Sequence, residues 1–376
     1  MSKRSRKNIT DLGELLGDGT SQPTAFSDPN SMEVINREVY GDFGGMDAIR
    51  SADANRIKAE PVDIFAITPD RSQPRRTVPY IVRQRADWDY DVDRMQELFL
   101  TWEALVNEAR GNKSFRLETY LEQREIGDRS IDFDGDKADR PGEISPIEES
   151  LVSLIELATN IAEHGLTNPI TVVEHKFQTE YELETGERRW LAYHLLYIFY
   201  AGTDEQSRFS KIPARTVTER NLWRQAAENN ARQNLNAISR ARQFAVLLMD
   251  LLQERGTAFK PFHQFEYERN YYAQVSEGDE YRIPRGTSER LINAMGVKNA
   301  RQLRDYRALL RLPREVWEWA DDYNWPERAI REMQELANDD DDLVQLAQRK
   351  LRGEDDSVPM GTVTEEKIKK KKDKNI

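Results

Sequence analysis

Two short charged segments are the part of this chain best suited to chemistry. In the first, the alternating run Tyr181-Glu182-Leu183-Glu184-Thr185 breaks at Gly186 and restarts as Glu187-Arg188-Arg189-Trp190. Glycine permits a sharp backbone turn, and the N–H groups that open a helix point toward an anion. Arginines in a first turn face the positive end of the helix dipole, an unfavourable placement of about 0.3–1 kcal/mol each that a bound polyphosphate would reverse. The same residues also suit an ordinary strand-to-helix turn with solvated arginines. The second segment is Glu228-Asn229-Asn230-Ala231-Arg232, on a polar helical run. Glu228 and Arg232 lie four apart and share a helix face, which suits a surface ion pair worth roughly a few tenths of a kcal/mol. Beside a phosphate cradle they would instead supply hard oxygen ligands for Mg²⁺ and one more cation.

The elements that must position these segments follow from periodicity. Leu151, Leu154, Ile155, Ala158, Ile161 and Ala162 mark an amphipathic helix stopped by Gly165. Residues 170–174, 181–185 and 212–217 predict strands, and 187–201 an apolar helix whose Tyr193, Leu195, Leu196, Ile198 and Phe199 belong to a core. Asn236 is a plausible N-cap for a helix over 237–254, and everything from there to about 350 predicts helix. Within it, 287–313 has the pattern of a helix-turn-helix. Leu291, Ile292 and Met295 form one buried stripe, Gly296 the turn, and Leu303, Tyr306 and Leu310 the next stripe. Lys298, Asn299, Arg301, Gln302 and Arg304 are then candidates for contacts to DNA phosphates or base edges. A generic helical hairpin fits the same apolar pattern, and the basic bias favours DNA: eight lysines and arginines stand against three acids between Arg285 and Glu315.

The order Gly-Leu-Thr-Asn-Pro (165–169), Gly-Glu-Arg-Arg (186–189), Glu-Asn-x-x-Arg (228–232) and Leu-Asn-x-Ile (235–238), with Gln73-Pro74-Arg75-Arg76 upstream, resembles the ParB/Spo0J partition-protein family. The resemblance covers 61–76, 146–254 and about 285–350. It implies an α+β fold: a small mixed-sheet, ParB/sulfiredoxin-like nucleotide-binding domain (61–76 and 146–234) followed by an all-α DNA-binding domain (235–350). It also implies CTP and Mg²⁺ as ligands. Gly186, Glu187, Arg188 and Arg189 would hold the triphosphate, Glu228 and Asn229 the metal, and Arg232 a further phosphate. Gln73, Arg75 and Asn168 would lie near the base or γ-phosphate, with Glu228 and Gln73 the candidates for catalysis of a slow CTP hydrolysis. The implied partners are double-stranded DNA, a second copy of the chain, and a ParA-type ATPase engaged by the basic N-terminal peptide with Lys3, Arg4, Arg6 and Lys7. The implied location is the cytoplasm, on nucleoid or plasmid DNA. A regulator of the same fold with weak or no nucleotide binding, and a phosphotransferase or nuclease on a related scaffold, remain as alternatives. The chain departs from the family at Leu191, where another basic residue is usual, and in two insertions, 77–145 and 255–284.

Composition sets the outer limits. The chain has 376 residues, no cysteine and a net charge of −12, which excludes disulfides, thiolate metal sites and a cysteine nucleophile and argues against uniform coating of nucleic acid. The four histidines are too scattered for a zinc site. No apolar run approaches the roughly 20 residues needed to span a bilayer, so no membrane partner is expected. Residues 1–60 and 351–376 have the composition of disordered tails, the latter with six lysines after Glu365. Residues 77–145 predict an inserted helical subdomain, with Met95, Leu98, Phe99, Trp102, Leu105 and Val106 at helical spacing. Its end, Asp132 to Glu143, has acids at calcium-loop spacing, but Lys137 stands where that loop needs glycine.

Overall fold

The computed structural model describes residues 59–111, 114–125, 145–174, 180–231 and 235–353, all within one compact unit, Lys58–Ile376. Residues 1–58 and 354–376, which hold most of the two tails and the basic N-terminal peptide, the acidic loop 132–143 and Arg232 lie outside the described residues.

Five strands form one mixed sheet in the order β1-β5-β3-β4-β2: β1 Glu60–Asp63, β2 Ile67–Pro69, β3 Ile170–Glu174, β4 Tyr181–Thr185 and β5 Lys211–Val217. β3 runs antiparallel to β4 and parallel to β5, while β2 pairs parallel with β4. Adjacent Thr171 and Val172 of β3 face Thr185 and Leu183, so β4 carries one extra residue, Glu184, near its end, an irregularity that bends the strand holding it. The helices are α1 Tyr80–Arg85, α2 Met95–Arg110, α3 Leu117–Glu125, α4 Pro146–His164, α5 Glu187–Phe199, α6 Leu222–Ala231, α7 Ala237–Gln253, α8 Glu268–Tyr272, α9 Ser288–Met295, α10 Ala300–Leu309, α11 Arg314–Asp322, α12 Glu327–Leu336 and α13 Asp340–Leu351. The expected α+β class, with a helical C-terminal region, is what the structure has.

Local chemistry sets the ends of these helices. Ser145 accepts from Glu148 N at the start of α4, Pro146 occupies its first turn, and Gly165 ends it at φ 75°. Asn236 caps α7 by accepting from Ser239 N at 2.7 Å. Gly296 closes α9 in the left-handed region and Asn299 caps α10.

Two cores result. The first joins sheet residues such as Ile170, Val172, Leu183 and Ile212 to Leu151, Leu154, Trp190 and Leu195. Leu98, Phe99 and Trp102 of the inserted segment belong to the same core, and Trp102 donates to Ile147 O at 3.1 Å. The second core gathers Ile238, Phe244, Leu247, Leu291, Met295, Leu303, Trp317 and Ile330.

Between the cores, Asp322 at the end of α11 accepts from the backbone N–H groups of Tyr80 and Ile81, at 2.5 and 2.9 Å, and so caps α1. Burial, with Asp321 beside it, pushes its carboxyl up to about 7. A carboxyl raised from 3.8 keeps its proton in the folded state where the unfolded chain has lost it, so this group's contribution to stability is greatest at low pH and falls as pH rises through 7. Buried His194, pushed down to about 3 by desolvation, acts in the opposite sense between about 3 and 6.5. Asp322 is therefore isolated by difference. Between pH 5.5 and 7.5 wild type should lose about 2 kcal/mol more than Asp322→Asn in denaturant unfolding, and parallel pH curves for the two proteins would refute the shift.

Candidate functional site

The site grows from the turn at the end of β4. Gly186 has φ 105°, and a β-carbon there would lie 2.6 Å from Ile170 Cγ2, so only glycine lets β4 turn into α5 this closely against β3. The two arginines that follow diverge because consecutive helical residues point about 100° apart. Arg188 Nη2 donates to Ser153 Oγ at 2.7 Å and Ser153 O at 3.0 Å on α4, and its side chain reaches the cleft. The Arg189 side chain is only 8% exposed. It donates to Asn168 O and Pro169 O, both at 2.6 Å, and to Glu228 Oε1 at 3.2 Å. Arg189 therefore straps the Thr-Asn-Pro loop and α6 to the turn. Asn168 is joined through its backbone carbonyl, and its side chain is not part of the cleft wall.

Glu187 is buried and accepts from Thr77 N and Thr77 Oγ1, both at 3.1 Å. Burial pushes its carboxyl up, while Arg76 and the Thr77 bonds pull it back. It ties the first turn of α5 to the Gln-Pro-Arg-Arg loop. Gln73, on that loop, is buried and donates through Nε2 to Leu183 O at 2.7 Å. Glu184 is held by Arg224, at 2.9 and 2.6 Å, in a two-pronged contact, while Gln225 Nε2 donates to Glu184 O at 2.8 Å.

These contacts bring three segments distant in sequence to one narrow cleft of about 30 Å³. Seven of the sequence candidates line it: Gln73, Arg75, Gly186, Glu187, Arg188, Glu228 and Asn229. An adjoining cavity of about 170 Å³ shares Arg75, Thr77 and Arg188 and adds Arg76, Ser153 and the start of α7 at Asn236 and Ser239. Thr77, Glu184, Thr185 and Gln225 also line the cleft. Of these, Gln225 had a signal, since it lies three residues before Glu228 on the same helical face. Leu191 is fully buried in the first core and has no access to the cleft.

Among the described residues no group of three or more acids or histidines could hold a metal alone. Glu228 and Asn229 give one carboxylate and one amide, a donor set that suits Mg²⁺ sharing phosphate oxygens and waters, not a self-sufficient protein cage. A further cavity of about 170 Å³, lined by Phe99, Leu100, Ile198 and Phe199 among others, lacks any turn of this kind.

In the helical half, Lys298, Asn299, Arg301 and Arg304 are exposed together at the start of α10 and Gln302 is half-buried. Two of them are engaged locally: Asn299 Oδ1 caps Arg301 N and Gln302 N, and Gln302 Oε1 accepts from Lys298 N. That leaves Lys298, Arg301 and Arg304 as the outward cations of this face.

Fold and site together define the class: an α+β domain with a charged cleft at a strand-to-helix turn, lined by two arginines and three glutamates, followed by a helical half with a helix-glycine-helix pair. The family model of the ParB N-terminal domain matches residues 140–199. A nucleoid occlusion protein of Bacillus pumilus is 38% identical over 104 residues, 26% of this chain and 32% of that protein, so the chain spans about a third of the length of this relative. The chain is ParB-like. The crystal structure of a C-terminally truncated chromosome-partitioning protein ParB from Caulobacter crescentus, complexed with CTP-gamma-S, aligns with 78% of this chain and 98% of that one at 18% identity, with a TM-score of 0.22. A superposition that loose assigns no residue. No described helix is long and apolar enough to cross a membrane.

Proposed function

We propose that this chain is a DNA-binding partition or nucleoid-occlusion protein that takes up CTP with Mg²⁺ in the cleft, and that occupancy of the cleft switches a homodimer between open and closed states on DNA. One observation carries the reading: Gln73 and Arg75, the turn Gly186–Arg188, and Glu228–Asn229 converge on one cleft. In this reading Arg75 and Arg188 meet phosphate oxygens and the N–H groups opening α5 meet a further one. Glu228 and Asn229 hold Mg²⁺, which would offset charge on the phosphates. Glu187 and Arg189 serve by position, fixing the loops around the ligand. Among the described residues no histidine or lysine lines the cleft as a strong general base, so any hydrolysis is slow and relies on positioning. Lys298, Arg301 and Arg304 contact DNA, and base identity rests on the family resemblance.

Calorimetry with each of the four nucleoside triphosphates and Mg²⁺ tests the reading. CTP should bind in preference to the others, and Arg188→Ala should weaken it by about 1.5–3 kcal/mol, roughly 10- to 150-fold. No binding of any nucleotide up to the millimolar range would end the reading. One observation favours a second, a DNA-binding regulator with little nucleotide affinity: Leu191 is buried and Arg189 is committed to carbonyls and Glu228, so the turn presents few cations. That regulator would bind DNA equally with and without CTP.

A further inference from the structure

The junction between the two cores holds a buried ionic cluster to which each of the two insertions contributes one residue. Glu268, on α8 in the 255–284 insertion, meets Arg83 of α1 in the other insertion, Arg76 of the cleft loop at 3.5 Å and Arg242 of α7 at 3.9 Å. Arg242 pairs in turn with Asp321 of α11 at 2.6 Å. Side-chain exposures of Arg76, Arg83 and Arg242 are 4%, 8% and 2%. Burial opposes ionisation of Glu268, but the three arginines hold its carboxyl well below the usual carboxylate range.

Charges this deep are costly, and a carboxylate shared among three guanidiniums is under-supplied. The geometry shows the shortfall. Nε and Nη1 of Arg76, Nε and Nη2 of Arg83, and Nε and Nη1 of Arg242 are buried without a hydrogen-bond acceptor among the described residues. Arg76 also lines the cavity that adjoins the cleft, beside Arg75 and Arg188. One arginine thus stands between Glu268 and the place where a polyphosphate would lie.

We propose that Glu268 is the pin of an electrostatic latch, holding the cleft loop against α7 and α11 through Arg76 and Arg242, and that a nucleoside triphosphate competes with it for Arg76 and so frees the two halves. The inference rests on the proposed function for the identity of the anion. If Glu268 opposes occupancy, removing its charge must loosen the junction without ligand and tighten ligand binding by the same factor, because coupling between sites is reciprocal.

The chain has no cysteine, so two introduced at exposed Asp204 and Glu335 report the distance between halves by paired fluorophores. Without nucleotide, Glu268→Gln should raise the open-to-closed ratio at least roughly tenfold and tighten CTP–Mg²⁺ binding correspondingly. Glu268→Asp, which keeps the charge but shortens its reach, should shift both in the same direction by less and serves if the glutamine variant does not fold. A merely structural Glu268 would instead leave binding unchanged or weaken it. An unchanged distance, or an unchanged or weakened affinity beside a changed distance, overturns the latch. Absence of binding by wild type and variants alike overturns the proposed function, and the distance measurement without nucleotide then decides whether Glu268 holds the halves.

Discussion

Replacing Gly186 by alanine should destabilise the protein by about 2–6 kcal/mol and abolish nucleotide binding with it. Two independent costs add. The residue sits at φ 105°, where a side chain pays roughly 1–3 kcal/mol in backbone strain. The new β-carbon would also lie 2.6 Å from Ile170 Cγ2 and 3.0 Å from Arg189 Nη2, and relief of such overlap in a packed region costs another 1–3 kcal/mol or so. Neither neighbour can yield cheaply. Ile170 is fully buried in the sheet, and Arg189 is fixed by three acceptors. Denaturant unfolding and calorimetry on the same preparation check the result. A variant within about 1 kcal/mol of wild type would mean that β3 and α5 move apart easily, and the turn would lose its claim to be a rigid cradle.

Much of this turn was legible in the sequence, because its determinants are local. An alternating run, one glycine and an apolar helical repeat define β4, Gly186 and α5 with few alternatives. The same holds for α2, whose Met95, Leu98, Phe99, Trp102, Leu105 and Val106 are all buried, and for α7, where Asn236 caps the helix as its position suggests. β1 and β2 were not legible. They have four and three residues, too few for a period of two, each contains a proline, and they exist as strands only through pairing with 211–214 and 181–183. The ionic junction escaped for the same reason. Arg76, Arg83, Arg242 and Glu268 look like solvated surface charges in any local window, and long-range packing alone makes them neighbours.

Arg188 and Arg189 show how far adjacency misleads. Side by side in a motif, they suggest one shared role on a phosphate, yet helical geometry sends one toward Ser153 and the cleft and the other beneath the turn. The two should separate in experiment. Arg189→Met should cost about 2–4 kcal/mol of stability, because it takes the donor from two part-buried carbonyls, Asn168 O and Pro169 O, and one partner from the carboxylate of Glu228. Arg188→Ala, on a half-buried side chain, should cost affinity while leaving unfolding within about 1 kcal/mol of wild type. Methionine keeps most of the apolar stem, so lost packing contributes little. A double-mutant cycle with Glu228→Gln supplies the internal check. Once the carboxylate charge is gone, Arg189→Met should cost less than in wild type, with a coupling of about 1–3 kcal/mol. If Arg189→Met unfolds at the same denaturant concentration as wild type but binds nucleotide weakly, Arg189 is a ligand to phosphate, and the strap between the Thr-Asn-Pro loop, the turn and α6 must lie elsewhere.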